Sequence, residues 1–240
     1  MARRRFFVDA VHAGHALIVG EQAHHLSRVL RVEAGQKFEI SDNRRVYLAE
    51  IESARKDLVS FAILEPLDAP APVVHTTLLA SLIKFDRFEW MLEKATELGV
   101  ERVIPVEAER SENGLAKAAA KRLSRWIRIV REASEQSRRT CLPEVVQTIS
   151  LAAALETAAD HRYVLEEQTA PPILPALPAQ RAPEDRVALL VGPEGGWTDR
   201  ERETISASGW TAVSLGREIL RADTAVTAAL AVLNAAWAAR

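Results

Sequence analysis

Apolar and polar positions alternate in short runs up to about residue 67, which is the period of half-buried strands. Strands are predicted at Phe6–Val8, Ala16–Val19, Lys37–Ile40, Val46–Ile51 and Leu58–Leu64, separated by turn residues such as Asp42-Asn43. One short helix is expected between them, near Glu21–Val29. This pattern fits a small, mostly β barrel. Pro66, Pro70 and Pro72, with Ala69 and Ala71 between them, cannot continue a regular element, so a domain boundary is placed near residue 71.

Beyond the prolines the period changes. Strand-like runs at Thr76–Leu82, Val103–Val106, Val145–Ile149, Tyr163–Leu165, Val187–Val191 and Ala212–Leu215 alternate with helical ones. In the helix predicted at Phe85–Leu98, Phe85, Phe88, Met91, Leu92, Ala95 and Leu98 share one face, and Gly99 stops it. A basic helix follows over about 116–136, and a last helix ends near Trp237. Such alternation predicts an α/β domain with a mainly parallel sheet, residues 72–240. After the proline-rich loop 171–183, the uninterrupted apolar run Val187–Val191 reads as a central strand buried on both faces.

Composition narrows the function classes. A single cysteine, Cys141, forms no internal disulfide and no metal-ligand cluster, which suits a reducing cytoplasm. Arg3, Arg4 and Arg5 begin like an export signal, but Asp9 and His12 interrupt the apolar run that should follow. The apolar stretch 222–239 is broken by Asp223, Thr224, Thr227 and Asn234, so a soluble, cytoplasmic protein with no membrane partner is expected. The formal net charge of −2 hides a local excess: residues 110–139 hold nine basic side chains against three acidic ones. A solvated helix face and a phosphate-binding surface both fit that run.

Candidate chemistry lies at strand ends. The central strand runs into Gly192-Pro193-Glu194-Gly195-Gly196, and Thr198-Asp199-Arg200-Glu201 then reads as a capping box opening a helix. Ligands of open α/β sheets sit at the carboxyl ends of strands, where glycines let the backbone approach them closely. Neither the dinucleotide fingerprint nor the P-loop lysine motif is present, which disfavours a phosphate cradle. A second loop, Gly216-Arg217-Glu218-Ile219-Leu220-Arg221-Ala222-Asp223-Thr224, follows the last strand. It brings Arg217, Arg221 and Asp223 together, either as an ordinary ion pair or as part of a site. A third cluster, Arg131–Arg139, is dense in forked donors. The histidines, including His24 and His25, show no catalytic pattern.

Taken in order, these segments resemble the 16S ribosomal RNA uridine-N3 methyltransferases of the knotted SPOUT superfamily. The resemblance rests on Arg5-Phe6-Phe7, His25-Leu26-Ser27-Arg28-Val29-Leu30-Arg31, Lys84, Lys94-Ala95-Thr96-Glu97-Leu98-Gly99, Glu132-Ala133-Ser134-Glu135-Gln136-Ser137-Arg138 and both glycine loops. It implies a PUA-like, RNA-gripping β-barrel over 1–71. It also implies a SPOUT-type methyltransferase domain over 72–240, with a mainly parallel sheet and a C-terminal trefoil knot. A homodimer acting on 16S ribosomal RNA of the small subunit with S-adenosyl-L-methionine is implied as well.

The cofactor is then expected against Leu190, Gly192, Pro193, Gly195, Gly196, Leu215, Gly216, Ile219, Leu220 and Thr224. RNA is expected against Arg3, Arg4, Arg5, Arg28, Arg31, Lys84, Lys94, Arg138 and Arg139. Uracil N3 is a poor nucleophile until its proton leaves. Glu194 and Asp223 are therefore candidate bases, and Arg217 and Arg221 candidate stabilisers of the anion. Asp223 stands where the family usually has a glutamate, one methylene longer. No metal is required. The alternatives are a ribose 2'-O methyltransferase of the same superfamily and a non-catalytic RNA-binding assembly protein. A nicotinamide enzyme ranks behind both.

Overall fold

The computed structural model describes residues 4–112, 114–167 and 170–239. The chain separates into two compact units, Met1–Ala71 with Ser134–Leu142, and Pro72–Ala133 with Pro143–Arg240.

In the first unit, strands β1 (Arg5–Phe7), β2 (Val11–His12), β3 (His15–Val19), β4 (Lys37–Ser41), β5 (Val46–Arg55) and β6 (Leu58–Leu67) form one mixed sheet in the order β1-β4-β5-β6-β3-β2. Helix α1 (Gly20–His24) continues as a π-helical turn over His25–Val29. Phe6, Ile18, Leu26, Ile40, Ile51, Val59 and Phe61 fill the core beneath this sheet. Strand β6 runs further than its alternation suggests and includes Pro66, opposite Tyr47. The missing N–H costs nothing there, because β3 pairs β6 only over Leu58–Ala62 and has ended before the proline.

The segment Ser134–Leu142 belongs to this unit through specific polar contacts. Arg5 is 7% exposed and donates to Glu39 at 2.8 Å and, from its other terminal nitrogen, to the Arg138 carbonyl. Arg138 completes the triad with its own guanidinium on Glu39. Ser41 Oγ donates to the Thr140 carbonyl, the Leu142 N–H donates to Asn43 Oδ1 at 2.7 Å, and Cys141 Sγ donates to the Asn43 carbonyl. These contacts hold Arg138 in the left-handed region, at φ 57°.

The second unit contains β7 (His75–Ser81), α2 (Phe85–Glu97), β8 (Arg102–Glu107), α3 (Leu115–Ala119), α4 (Leu123–Gln136), β9 (Glu144–Val145), β10 (Ile149–Ser150), α5 (Leu151–Leu155), β11 (His161–Leu165), α6 (Ile173–Ala176), β12 (Arg186–Val191), α7 (Asp199–Ala207), β13 (Thr211–Val213) and α8 (Ala222–Ala238). Its parallel sheet has the order β10-β8-β7-β12-β11-β13, with β9 also on β8. Strand β12 lies between β7 and β11. Its alternate residues enter two different cores: Val187, Leu189 and Val191 one, Ala188 and Leu190 the other. That is why its sequence shows no alternation. Each buried valine or leucine among them contributes about 1.5–3 kcal/mol. The basic helix expected over 116–136 is two helices, because the chain turns at Lys121 and Arg122 between α3 and α4.

The chain around β13 is enclosed. β11 pairs with it on one side, and on the other Ser214 exchanges backbone hydrogen bonds with Pro171 and Ile173. The loop joining β11 to β12 therefore brackets the C-terminal chain, which returns from this edge to pack α8 against α2. This is the connection that a C-terminal knot requires.

Candidate functional site

At the carboxyl ends of β11, β12 and β13 the following loops surround a cavity of about 290 Å³ within the second unit. Its walls are Leu165, Glu166 and Glu167 after β11; Val191–Glu194, Gly196 and Trp197 after β12; Val213, Leu215, Gly216 and Glu218–Ala222 after β13; and Ala225 of α8. Arg87, from the first turn of α2, closes one side.

The β12 loop is held from several directions. Gly196 N–H donates to the Pro193 carbonyl at 2.9 Å, forming a tight turn that puts Gly196 at φ +66°, a conformation glycine adopts without strain. Trp197 is 2% exposed and its indole N–H donates to the Leu165 carbonyl at 3.4 Å, linking this loop to the end of β11. Behind the loop, Arg110 donates to the Gly195 carbonyl at 2.9 Å. The turn ends in the capping box that the sequence predicts: Thr198 Oγ1 accepts from the Glu201 N–H, and the Glu201 carboxylate accepts from the Thr198 N–H at 2.9 Å. Glu201 is 4% exposed and also accepts the Glu109 N–H at 2.8 Å, so it anchors the β8 loop to α7.

Charge at the rim comes in opposed pairs. Glu166 accepts from Arg202 Nε at 2.9 Å, and this hydrogen bond raises the guanidinium further above its ordinary range. Glu194 is paired with Arg87. Four carboxylates, Glu166, Glu167, Glu194 and Glu218, face the cavity against two guanidiniums, Arg87 and Arg221. That excess suits a ligand bearing positive charge.

Of the residues expected at the cofactor, Gly192, Pro193, Gly196, Leu215, Gly216, Ile219 and Leu220 line this cavity. Leu190 is fully buried in a core cluster, and Gly195 faces Arg110 behind the loop. Thr224 is exposed on α8, its N–H donating to Asp223 Oδ1 at 2.9 Å. Of the residues expected to act on substrate, Glu194 and Arg221 line the cavity, whereas Arg217 and Asp223 are not among its lining residues. Sequence reading passed over Arg87, Glu166, Glu167, Trp197 and Glu218.

Of the expected RNA contacts, Arg4, Arg28, Arg31 and Lys84 are exposed. Arg5 and Arg138 are engaged with Glu39, Lys94 is paired with Glu93 and Glu97, and Arg139 Nε donates to the Cys141 carbonyl at 3.1 Å. Arg3 lies outside the described residues. Among the described residues, no group of three or more His, Cys, Asp or Glu is placed to hold a metal, and no helix is long and apolar enough to cross a membrane.

Comparison with known proteins places this geometry. The RNA methyltransferase domain family matches residues 69–234, and the RNA methyltransferase PUA domain family matches residues 18–64. Ribosomal RNA small subunit methyltransferase E of Synechocystis is 37% identical over 221 residues, covering 89% of this chain and 71% of that protein. The protein of the same name from Bacillus subtilis is 33% identical, with 90% and 88% covered. Among solved structures, ribosomal RNA small subunit methyltransferase E of Neisseria gonorrhoeae, bound to S-adenosyl methionine, superimposes with a TM-score of 0.88 at 30% identity over 98% of each chain. The fold is thus the SPOUT type with a C-terminal knot and a separate PUA-like N-terminal domain. A match in sequence and fold over most of its length makes this chain a member of the ribosomal RNA small subunit methyltransferase E family.

Proposed function

We propose that the protein binds S-adenosyl-L-methionine in the strand-end cavity and methylates N3 of a uridine in 16S ribosomal RNA of the small subunit. The observation that carries this reading is the convergence of both glycine loops on one cavity, with Glu194 and Arg221 facing it. The chemistry of the walls fits the cofactor. Leu165, Val191 and Leu220 offer apolar surface to an adenine ring, and Gly192, Gly196 and Gly216 leave backbone groups open to its polar edges. The carboxylate excess complements the sulfonium and ammonium charges. When bound, the cofactor supplies a methyl group that passes to N3 as the new N–C bond forms, the C–S bond breaks and its electron pair stays on sulfur.

The chain's own residues do the rest. Between the two carboxylates proposed as proton acceptors, the geometry favours Glu194, which faces the cavity, over Asp223, which accepts an amide within α8. Between the two arginines proposed to stabilise the anionic base, it favours Arg221 over Arg217 for the same reason. RNA is held by the exposed Arg4, Arg28, Arg31 and Lys84, contacts that position a strand and carry little base specificity. The protein acts in the cytoplasm as a homodimer. Trp90 of α2, 44% exposed, offers apolar surface for self-association on the catalytic unit.

The test is incubation with labelled cofactor and small ribosomal subunits from a source lacking the modification, followed by mass spectrometry of digested RNA. A methyl group on a uracil base at N3 is expected. A methyl on ribose, or none, overturns the reading.

A further inference from the structure

The ion pair between Arg87 and Glu194 spans 107 residues of sequence and joins the start of α2 to the turn after β12. It faces the cavity rather than the core, and its side chains are 33% and 38% exposed, so it contributes little to stability. We propose that Arg87 is the residue that controls Glu194. In the free protein its guanidinium holds the carboxylate at the rim; an entering uracil competes for that guanidinium through its carbonyl oxygens, and Glu194 is released to take the N3 proton.

The chemistry balances within the reaction already proposed. The N3–H bond breaks, its proton goes to a Glu194 oxygen, and its electron pair stays on nitrogen to bond the incoming methyl carbon. Arg87 then faces the negative charge that develops on the carbonyl oxygens, a task for which a planar, permanently charged fork of donors is suited. The other charged groups around Glu194 are Arg221 and Glu218 on the β13 loop, Glu166 and Glu167 after β11, and Arg110 behind the turn. Glu166 is occupied by Arg202, and Arg110 by backbone carbonyls. Of these cations, Arg87 is the one in direct contact with Glu194.

This inference rests on the methyltransferase reading and on Glu194 as proton acceptor. Its test uses wild type, Arg87→Ala, Glu194→Gln and the double variant, with unmodified small subunits as substrate. Arg87→Ala is expected to lower kcat by about 10²-fold. The double variant should be no slower than Glu194→Gln alone. Turnover is compared at saturating S-adenosyl-L-methionine, since both residues line the cavity, and thermal melting should give all four proteins similar melting temperatures. Losses that multiply in the double variant, or an Arg87→Ala enzyme that turns over as fast as wild type, overturn the role. Absence of methyl transfer by the wild type defeats the functional reading itself, a separate result.

Discussion

Gly192 lacks a side chain where the indole of Trp197 lies: a Cβ at position 192 would come within 3.0 Å of the ring. Trp197 in turn reaches the Leu165 carbonyl, so this contact sets the spacing between the loops after β11 and β12. Gly192→Ala should cost about 1–3 kcal/mol by overpacking and weaken cofactor binding. Urea denaturation paired with calorimetric titration checks both. Unchanged stability and affinity together would show that the close contact is not needed.

Glu39 is the hub of a triad with Arg5, buried like itself, and Arg138, whose side chain is 43% exposed. Removing one member of a buried ion pair strands its partner, here Arg5, so Glu39→Ala should destabilise the protein by about 3–5 kcal/mol. Urea melts followed by far-ultraviolet circular dichroism measure the loss. A change under about 1 kcal/mol, the surface-pair range, would contradict the structural role.

RNA binding separates the basic residues into two groups. Arg28→Ala should leave stability unchanged and reduce the slope of log affinity against log salt by about 1. Arg5→Ala should instead act through the melting temperature. Filter binding across a salt series, alongside thermal melts, distinguishes them; the opposite pattern would return Arg5 to the RNA surface.

Burial alone would raise the pKa of Glu89, but hydrogen bonds from Arg125 and Arg122 outweigh it and the net shift is downward. A carboxyl group with a depressed folded-state pKa stabilises the fold above its unfolded value and ceases to do so as pH falls through the folded one. Glu89→Gln should therefore cost about 2 kcal/mol at pH 7. The difference from wild type should shrink below about pH 4. Urea midpoints at several pH values measure this, and a pH-independent difference would rule the account out.

The division between what sequence shows and what it hides follows from these contacts. Strand β12 and its glycine loop are legible because a continuous apolar run ending in glycines and a capping box is a local pattern. Arg87 is not legible. Its helix is recognised by its apolar face, and every exposed polar position on such a helix looks alike until strand order sets β7 beside β12. The same holds for Glu166 and Glu167, whose only local signal is their place after β11. Arg5 and Arg138 mislead in the other direction, since basic residues near a terminus and a basic helix suggest phosphate, while their partner Glu39 is distant in sequence.

The central claim is that the cavity between the loops after β11, β12 and β13 holds S-adenosyl-L-methionine. Calorimetric titration of the cofactor into wild type, Ala225→Phe and Ile219→Asp tests it directly, since both positions line the cavity. Saturable binding by wild type, weakened at least about tenfold (about 1.4 kcal/mol) in each variant with the melting temperature preserved, is the expected result. Equal affinity in all three folded proteins would contradict the account.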